Sequence, residues 1–285
     1  MHPFVYARPG TVAEALDVLG EHGPAARVLA GGTDLAVALR NRTLRPEHLV
    51  DVKFLADLPP ALSDDGTTLV IGATAAMVDV ERDARVCQLF PALAEAAAVV
   101  GSPQIRNRAT VAGNICHASP AADTAPALLV HGATVVVAST HGERRVPLVD
   151  FIAGPGVTDL RPGELVVAIE LPLAKRRTGS AFARVTRRRG VDLATVNVCC
   201  RVDADGRTSM AFGAAGPRPV LAVDESGVLA DPSSTERARE DVLRSMLATT
   251  SPISDLRASR EYRVAMLLVM SRRALRTSLE RRAAA

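Results

Sequence analysis

Two stretches of this chain combine small residues with hydrogen-bonding side chains in a way suited to phosphate oxygens. The first is Ala30-Gly31-Gly32-Thr33-Asp34-Leu35, and the second is Thr110-Val111-Ala112-Gly113-Asn114, which opens TVAGNICHASPAADTA. Two successive residues without Cβ let backbone N–H groups crowd an anion, and Thr33 adds a hydroxyl donor. A helix starting there presents its N-terminus to the same charge. Taken alone, the first stretch reads more simply as a tight turn. The second stretch shifts the balance, because it again offers backbone amides, a small-residue surface and two donor side chains, Thr110 and Asn114. Two such loops can grip the halves of one diphosphate from opposite sides, which makes a dinucleotide the natural ligand. Asp123 fits if it faces away from the phosphates, where sugar or ribityl hydroxyls can donate to it. Ser119-Pro120 would fix the turn that delivers it.

Other chemistries find less support. The chain lacks GxGxxG, which removes the best argument for a parallel-sheet dinucleotide fold, and it lacks GxxxxGK[ST], which argues against an NTPase. Its four cysteines, Cys87, Cys116, Cys199 and Cys200, form no CxxC pair. They read as buried free thiols rather than iron–sulfur or zinc ligands, and His117 beside Cys116 does not make a metal site. A net charge of +3 implies no polyanion partner, and arginines without interleaved aromatics argue against nucleic acid. No signal-like start and no long apolar run is present, so the expectation is a cytoplasmic chain with no membrane span.

The elements that must position the two loops follow from periodicity. TVAEALDVLGEH spaces Val12, Ala15, Leu16 and Leu19 as a helix, with Thr11 as N-cap and Gly23 beyond its end. ARVLAGGTDLAVALRN reads as strand, glycine turn and helix, and LVDV (49–52) as a buried strand. DGTTLVIGATAAMVDV reads as turn, strand and helix start, and PALAEAAAVVG as an Ala-rich helix opened by Pro91. Residues 110–125 show neither period. ATVVVAST and ELVVAIELP read as strands separated by a turn-rich stretch, and AKRRTGSA (174–181) reads as a linker. Beyond it, AFARVTRR, DLATVNVCCRV and TSMAFGAAG predict three antiparallel strands, the last two joined through DADG. Helices at about 235–249 and 259–283 close the chain, the last with a stripe of Tyr262, Met266, Val269, Met270 and Leu275. The fold class expected is α+β.

AGGTDL, GSPQIRNRATVAGNICHASPAADTAPALL (101–129) and DLRASREYRVAM (255–266) together resemble the FAD-binding subunit of the molybdenum hydroxylases, the xanthine dehydrogenase and carbon monoxide dehydrogenase group. The resemblance covers nearly the whole chain. It implies a vanillyl-alcohol-oxidase-type FAD-binding domain at 1–175, built of two α/β subdomains (about 1–56 and 57–175), and a C-terminal α+β domain at 176–285. It also implies FAD in this chain, with a molybdopterin cofactor in a large partner subunit and two [2Fe-2S] clusters in a small one, assembled as a dimer of heterotrimers. Val28, Leu29, Ala30, Gly31, Gly32, Thr33, Asp34 and Leu35 would form the first FAD loop, and Thr110, Val111, Ala112, Gly113 and Asn114 the second. Asp123 matches the family's acidic FAD contact, Arg184 a basic residue near the flavin, Val166 a strand beside the ring, and Val100 a further contact.

Relatives often read GTIGGN where this chain has Ala109-Thr-Val-Ala112-Gly-Asn, so two glycines become alanines; Ala112 is expected not to need a positive φ. Thr33-Asp34 resembles the xanthine and N-heterocycle branches more than the carbon monoxide branch. No catalytic side chain and no metal ligand is nominated, because the isoalloxazine carries the redox chemistry and the polypeptide supplies binding and electrostatics. The function expected is electron transfer from the partner clusters through FAD to an external acceptor. A self-contained flavin oxidoreductase is the alternative, and an interaction module that has lost FAD is a third reading that the intact glycines and Asp123 oppose. Lys175, Arg176 and Arg177, and Arg187, Arg188 and Arg189, read as solvated loop charge or as a docking surface.

Overall fold

A computed structural model describes residues 2–174 and 176–284. Lys175, one of the basic-run residues, lies outside the described set. The first unit comprises strand β1 (Val5–Ala7), helix α1 (Val12–His22), strand β2 (Ala26–Leu29), helix α2 (Thr33–Arg40) and strand β3 (His48–Asp51). Thr11 caps α1 by accepting from the Glu14 amide at 3.2 Å, and Gly23 ends it with φ +45°. The strands form a parallel sheet in the order β1-β3-β2. A small parallel sheet thus forms without GxGxxG, its glycine turn supplied by Gly31-Gly32 at the carboxyl end of β2.

The second unit begins with β4 (Leu62–Asp64) and β5 (Thr68–Gly72). Six short helices follow: α3 (Met77–Arg82), α4 (Ala84–Leu89), α5 (Pro91–Ala98), α6 (Pro103–Arg106), α7 (Val111–His117) and α8 (Thr124–Val130). Then come β6 (Thr134–Ser139), β7 (Gly142–Pro147), α9 (Leu148–Phe151), β8 (Ile152–Gly154), β9 (Val157–Thr158) and β10 (Leu165–Pro172). The main sheet is antiparallel, in the order β4-β5-β10-β6-β7. The middle of its central strands, Leu69 to Ile71, Val135 to Ala138 and Leu165 to Ile169, is a continuous apolar run because both faces are covered. Val135 and Val137 face the helix-rich core with Val111, Ile115 and Leu128, whereas Val136 and Ala138 face Leu16 and Leu19 of α1. A bulge in β10 between Val166 and Ala168 puts two consecutive residues, Val167 and Ala168, on the α1 side.

The third unit is a four-stranded antiparallel meander, β11 (Gly179–Val185), β12 (Val196–Val202), β13 (Thr208–Gly213) and β14 (Val220–Asp224), with α10 (Glu236–Leu247) and α11 (Arg260–Ala284). The fourth strand is a correction to the three expected. Its sequence, VLAVD, is short and follows a Gly/Pro-rich turn, so it carries too little alternation to stand out. Strand β11 also begins inside the stretch read as linker. There Gly179 is needed for space, since a Cβ would lie 2.0 Å from the Ser278 carbonyl oxygen of α11. The sheet is buried on both sides, which is why adjacent Cys199 and Cys200 part company: Cys199 faces the helices of the second unit, Cys200 faces α10 and α11.

Three smaller expectations also fail. Tyr262 is exposed, whereas Met270 and Leu275 are buried and Met266 and Val269 pack half-buried against the same core; the buried stripe of α11 also takes in Arg263, Leu267, Ala274 and Ser278. A polar residue opens and closes that stripe, hiding it from an apolar pattern. Cys87 is exposed rather than buried, and Cys116 is only half-buried. Residues 110–125, which show no period, fold largely as the short helices α7 and α8, whose buried faces rest on small residues such as Ala112, Ala125 and Ala127.

Candidate functional site

The two expected loops meet. Gly31 sits directly on the segment that leads into the second loop: a Cβ there would lie 2.1 Å from the Arg108 carbonyl oxygen and 2.9 Å from the Ala109 Cα. Only a residue without a side chain permits that approach. Gly32 follows with φ +73°, a left-handed turn into α2. Among the described residues, the N–H groups of Gly31, Gly32, Thr33, Asp34 and Leu35 have no acceptor within hydrogen-bonding distance. Five successive unpaired amides at the head of a helix are a ready anion cradle.

The second loop is held by α3. Met77 N–H donates to the Ala109 carbonyl at 2.8 Å, and Val111 N–H to the Ala75 carbonyl at 3.2 Å, a two-bond clasp around Ala76 and Thr110. Thr110 then caps α7 by accepting from the Gly113 amide at 3.0 Å. The Gly113 amide is therefore already used, and the amides left free in this loop are those of Thr110 and Ala112. Ala112 is helical; positive φ among non-glycine described residues is confined to Arg42, Ala118 and Ala214, so the Gly-to-Ala change there carries no backbone strain. Asn114 Oδ1 accepts from Thr124 Oγ1 at 2.7 Å, which ties the loop to α8 and leaves the amide nitrogen without a partner among the described residues.

That tie leads to Asp123. Its carboxylate pairs with Arg184 at 2.7 Å and accepts from Asn197 Nδ2 at 2.8 Å, so the structure joins two of the expected residues and adds a third. Burial pushes the Asp123 carboxyl up, with the Asn197 hydrogen bond and the Arg184 charge pulling the other way. Asn197 escaped the sequence reading because it sits inside the apolar run TVNVCC, where only its being the one amide among hydrophobes could have flagged it. Val100 lies just before Gly101, at the turn into α6, half-buried against the second unit's core. Val166 is buried in the same core, next to the β10 bulge, and Val28 is exposed at the edge strand β2. The Arg187 to Arg189 run is partly folded into its own turn: Arg187 pairs with Asp192 at 3.4 Å, and Arg188 Nε donates to the Val191 carbonyl at 3.1 Å. A separate groove of about 560 Å³ between α1 and the β6–β7 turn, lined by Leu16, Asp17, Asp57 and Glu143, includes none of the expected cofactor residues.

A cradle of unpaired amides, a glycine that lets two loops touch, and a partly buried Asp123–Arg184 ion pair beyond them suit a ligand with a diphosphate and a polyhydroxyl chain. Comparison with known proteins gives that ligand a name. Residues 2–174 match the FAD binding domain in molybdopterin dehydrogenase, and residues 181–278 match the CO dehydrogenase flavoprotein C-terminal domain. The chain belongs to the FAD-binding subunits of the molybdopterin dehydrogenases. It is 34% identical over 277 residues to the xanthine dehydrogenase FAD-binding subunit of Escherichia coli O157:H7, covering 95% of this chain and 94% of the relative. It is 32% identical to the carbon monoxide dehydrogenase medium chain of Hydrogenophaga pseudoflava, covering 98% of each. The structure of carbon monoxide dehydrogenase from that organism aligns with a TM-score of 0.90 at 30% identity over 99% of both chains. Quinoline 2-oxidoreductase from Pseudomonas putida 86 aligns at 0.88 and 28% identity over 98% of both. These flavoprotein subunits are thus similar across enzymes named for different substrates. No helix among the described residues is long and apolar enough to cross a membrane, and no cluster of three His, Cys, Asp or Glu residues is placed to hold a metal ion.

Proposed function

We propose that this chain binds FAD between the Gly31 and Thr110 loops and, in the cytoplasm, relays electrons from the [2Fe-2S] clusters of a small partner subunit to an external acceptor. A large subunit carrying molybdopterin oxidises the substrate, and the assembly is a dimer of heterotrimers. The observation that carries the reading is the contact of Gly31 with the Arg108–Ala109 backbone, which brings both small-residue loops to one place. Bound FAD supplies the redox chemistry. The residues of this chain bind and orient it. The free amides of Gly31 through Leu35 neutralise the diphosphate from one side, and those of Thr110 and Ala112, with the Asn114 amide nitrogen, do so from the other. Asp123 accepts from hydroxyls of the ribityl chain or sugar, and its pairing with Arg184 keeps a positive charge close to the flavin. Val28 to Ala30, Val100 and Val166 supply apolar walls.

Thr33-Asp34 resembles the xanthine and N-heterocycle branches, which favours a heterocyclic substrate at the partner's molybdenum. The test is spectroscopic. The chain purified alone should show a flavin spectrum without metal absorbance, and co-purified with its partners it should add iron–sulfur bands that reduce together with the flavin. A chain that stays colourless after FAD is added refutes the reading. Flavin reduced by a small substrate in the isolated chain would instead establish a self-contained oxidoreductase.

A further inference from the structure

Asp123 directly precedes α8, where an aspartate ordinarily caps the helix, yet its side chain makes no cap bond. Both oxygens are committed elsewhere, Oδ2 to Arg184 and Oδ1 to Asn197 Nδ2. Asn197 is fully buried on β12. Its Nδ2 also reaches the Ala122 carbonyl at 3.4 Å, so two acceptors from one loop fix which way the amide points. That orientation leaves Asn197 Oδ1 buried with no partner. The atom instead faces Gly213, its cross-strand neighbour on β13, where a Cβ would lie 2.0 Å from Oδ1 and 3.0 Å from Pro126 Cγ. Gly213 has no positive φ, so this position needs the space and not the backbone freedom. A strand built for stability alone would place an apolar side chain at 197 and a larger residue at 213. The orphaned oxygen and the space-making glycine together hold an amide whose shorter donor bond, at 2.8 Å, ends on Asp123.

We propose that Asn197 is a positioning residue for the FAD-contacting carboxylate, with Gly213 making room for it. A carboxylate has about four acceptor sites, and Asn197 and Arg184 each occupy one, leaving the remainder oriented for ligand hydroxyls. The inference rests on the reading of Asp123 as a FAD contact.

The test is a double-mutant cycle on the full chain, read as the FAD dissociation constant, with the melting temperature of the apoprotein recorded alongside. Asn197→Ala is expected to weaken FAD binding about tenfold or more, the effect of losing a hydrogen bond to a charged group. Combined with Asp123→Ala, which removes the acceptor, it should add less than about twofold, because Asn197 acts through Asp123. Gly213→Ala reaches the same contact by displacing the amide, so it should weaken FAD binding in the native background and do little more once Asn197 is Ala. If Asn197→Ala does not fold, Asn197→Ser and Gly213→Ala carry the comparison. Wild-type affinity in Asn197→Ala alongside weakened Asp123→Ala overturns this inference alone. Additive effects overturn it as well, since a packing role lowers the melting temperature without coupling to Asp123. Wild-type affinity in Asp123→Ala overturns the reading of the acid itself.

Discussion

Gly31→Ala should cripple cofactor binding through geometry alone. Gly31 has no positive φ, so alanine meets no backbone strain there. The added methyl instead lands 2.1 Å from the Arg108 carbonyl oxygen and 2.9 Å from both the Arg108 carbonyl carbon and the Ala109 Cα. All three obstacles are backbone, and that backbone is pinned by the Met77 and Val111 hydrogen bonds, so no side chain can swing aside. Bringing the closest contact out to 3.0 Å needs at least about 0.9 Å of separation between the two loops. Overpacking of this kind costs about 1–3 kcal/mol. If the diphosphate bridges both loops, a similar loss falls on binding, which is about five- to a hundred-and-fiftyfold in FAD dissociation constant. Gly113→Ala is the comparison: its methyl would approach only the rotatable Thr110 hydroxyl, at 2.7 Å, so the effect should be smaller. FAD titration followed by flavin fluorescence measures both. A Gly31→Ala protein with unchanged affinity would refute the idea that the closeness of these loops serves the ligand.

Asp123→Ala should lower flavin occupancy while the protein still folds, as judged by circular dichroism and flavin content; full occupancy would remove Asp123 from the site. In the native protein a thiol reagent should modify Cys87 readily, because it is exposed, while burial pushes Cys200 up to about 12 and keeps it unreactive. Mass mapping of the label checks this. Burial opposes ionisation of Asp255, but the Arg257 and Ala258 amides and the Arg263 guanidinium outweigh it and bring its pKa from 3.8 to about 2. A carboxyl depressed on folding stabilises the protein above its unfolded pKa and loses that contribution as pH falls toward the folded value. Asp255→Asn should therefore lower stability near neutrality and flatten the acid limb between 3.8 and about 2, measured by denaturant unfolding. Gly179→Ala should drive β11 from α11 and cost about 1–3 kcal/mol, read as a lowered melting temperature.

The strands and helices with one clean period were legible, among them α1 with its Thr11 cap, the apolar β6 and β10, and the hairpin through residues 203–207. What escaped detection has identifiable physical causes. Helix α8 is buried at every position and so shows no amphipathic period, and α7 is only seven residues long. Strand β14 is too short to show a period, and β7 (GERRVP) alternates charge at a sheet edge, where Arg144 and Arg145 pair with Glu164 and Glu170. At the site, the two loops and Asp123 were visible as residue types out of place in a regular element. Two features lay beyond a linear reading. Thr110 consumes the Gly113 amide, and Asn197 reaches Asp123 from a strand 74 residues away. Both depend on which atoms the fold brings within reach.

The central claim is that one diphosphate lies between the Gly31 and Thr110 loops. A crystal structure of the chain saturated with FAD tests it most directly. The prediction is diphosphate oxygens within hydrogen-bonding distance of the Gly31 to Leu35 amides on one side and the Thr110 and Ala112 amides on the other, with Asp123 on a hydroxyl of the same molecule. A flavin bound elsewhere, or touching only one of the two loops, would contradict it.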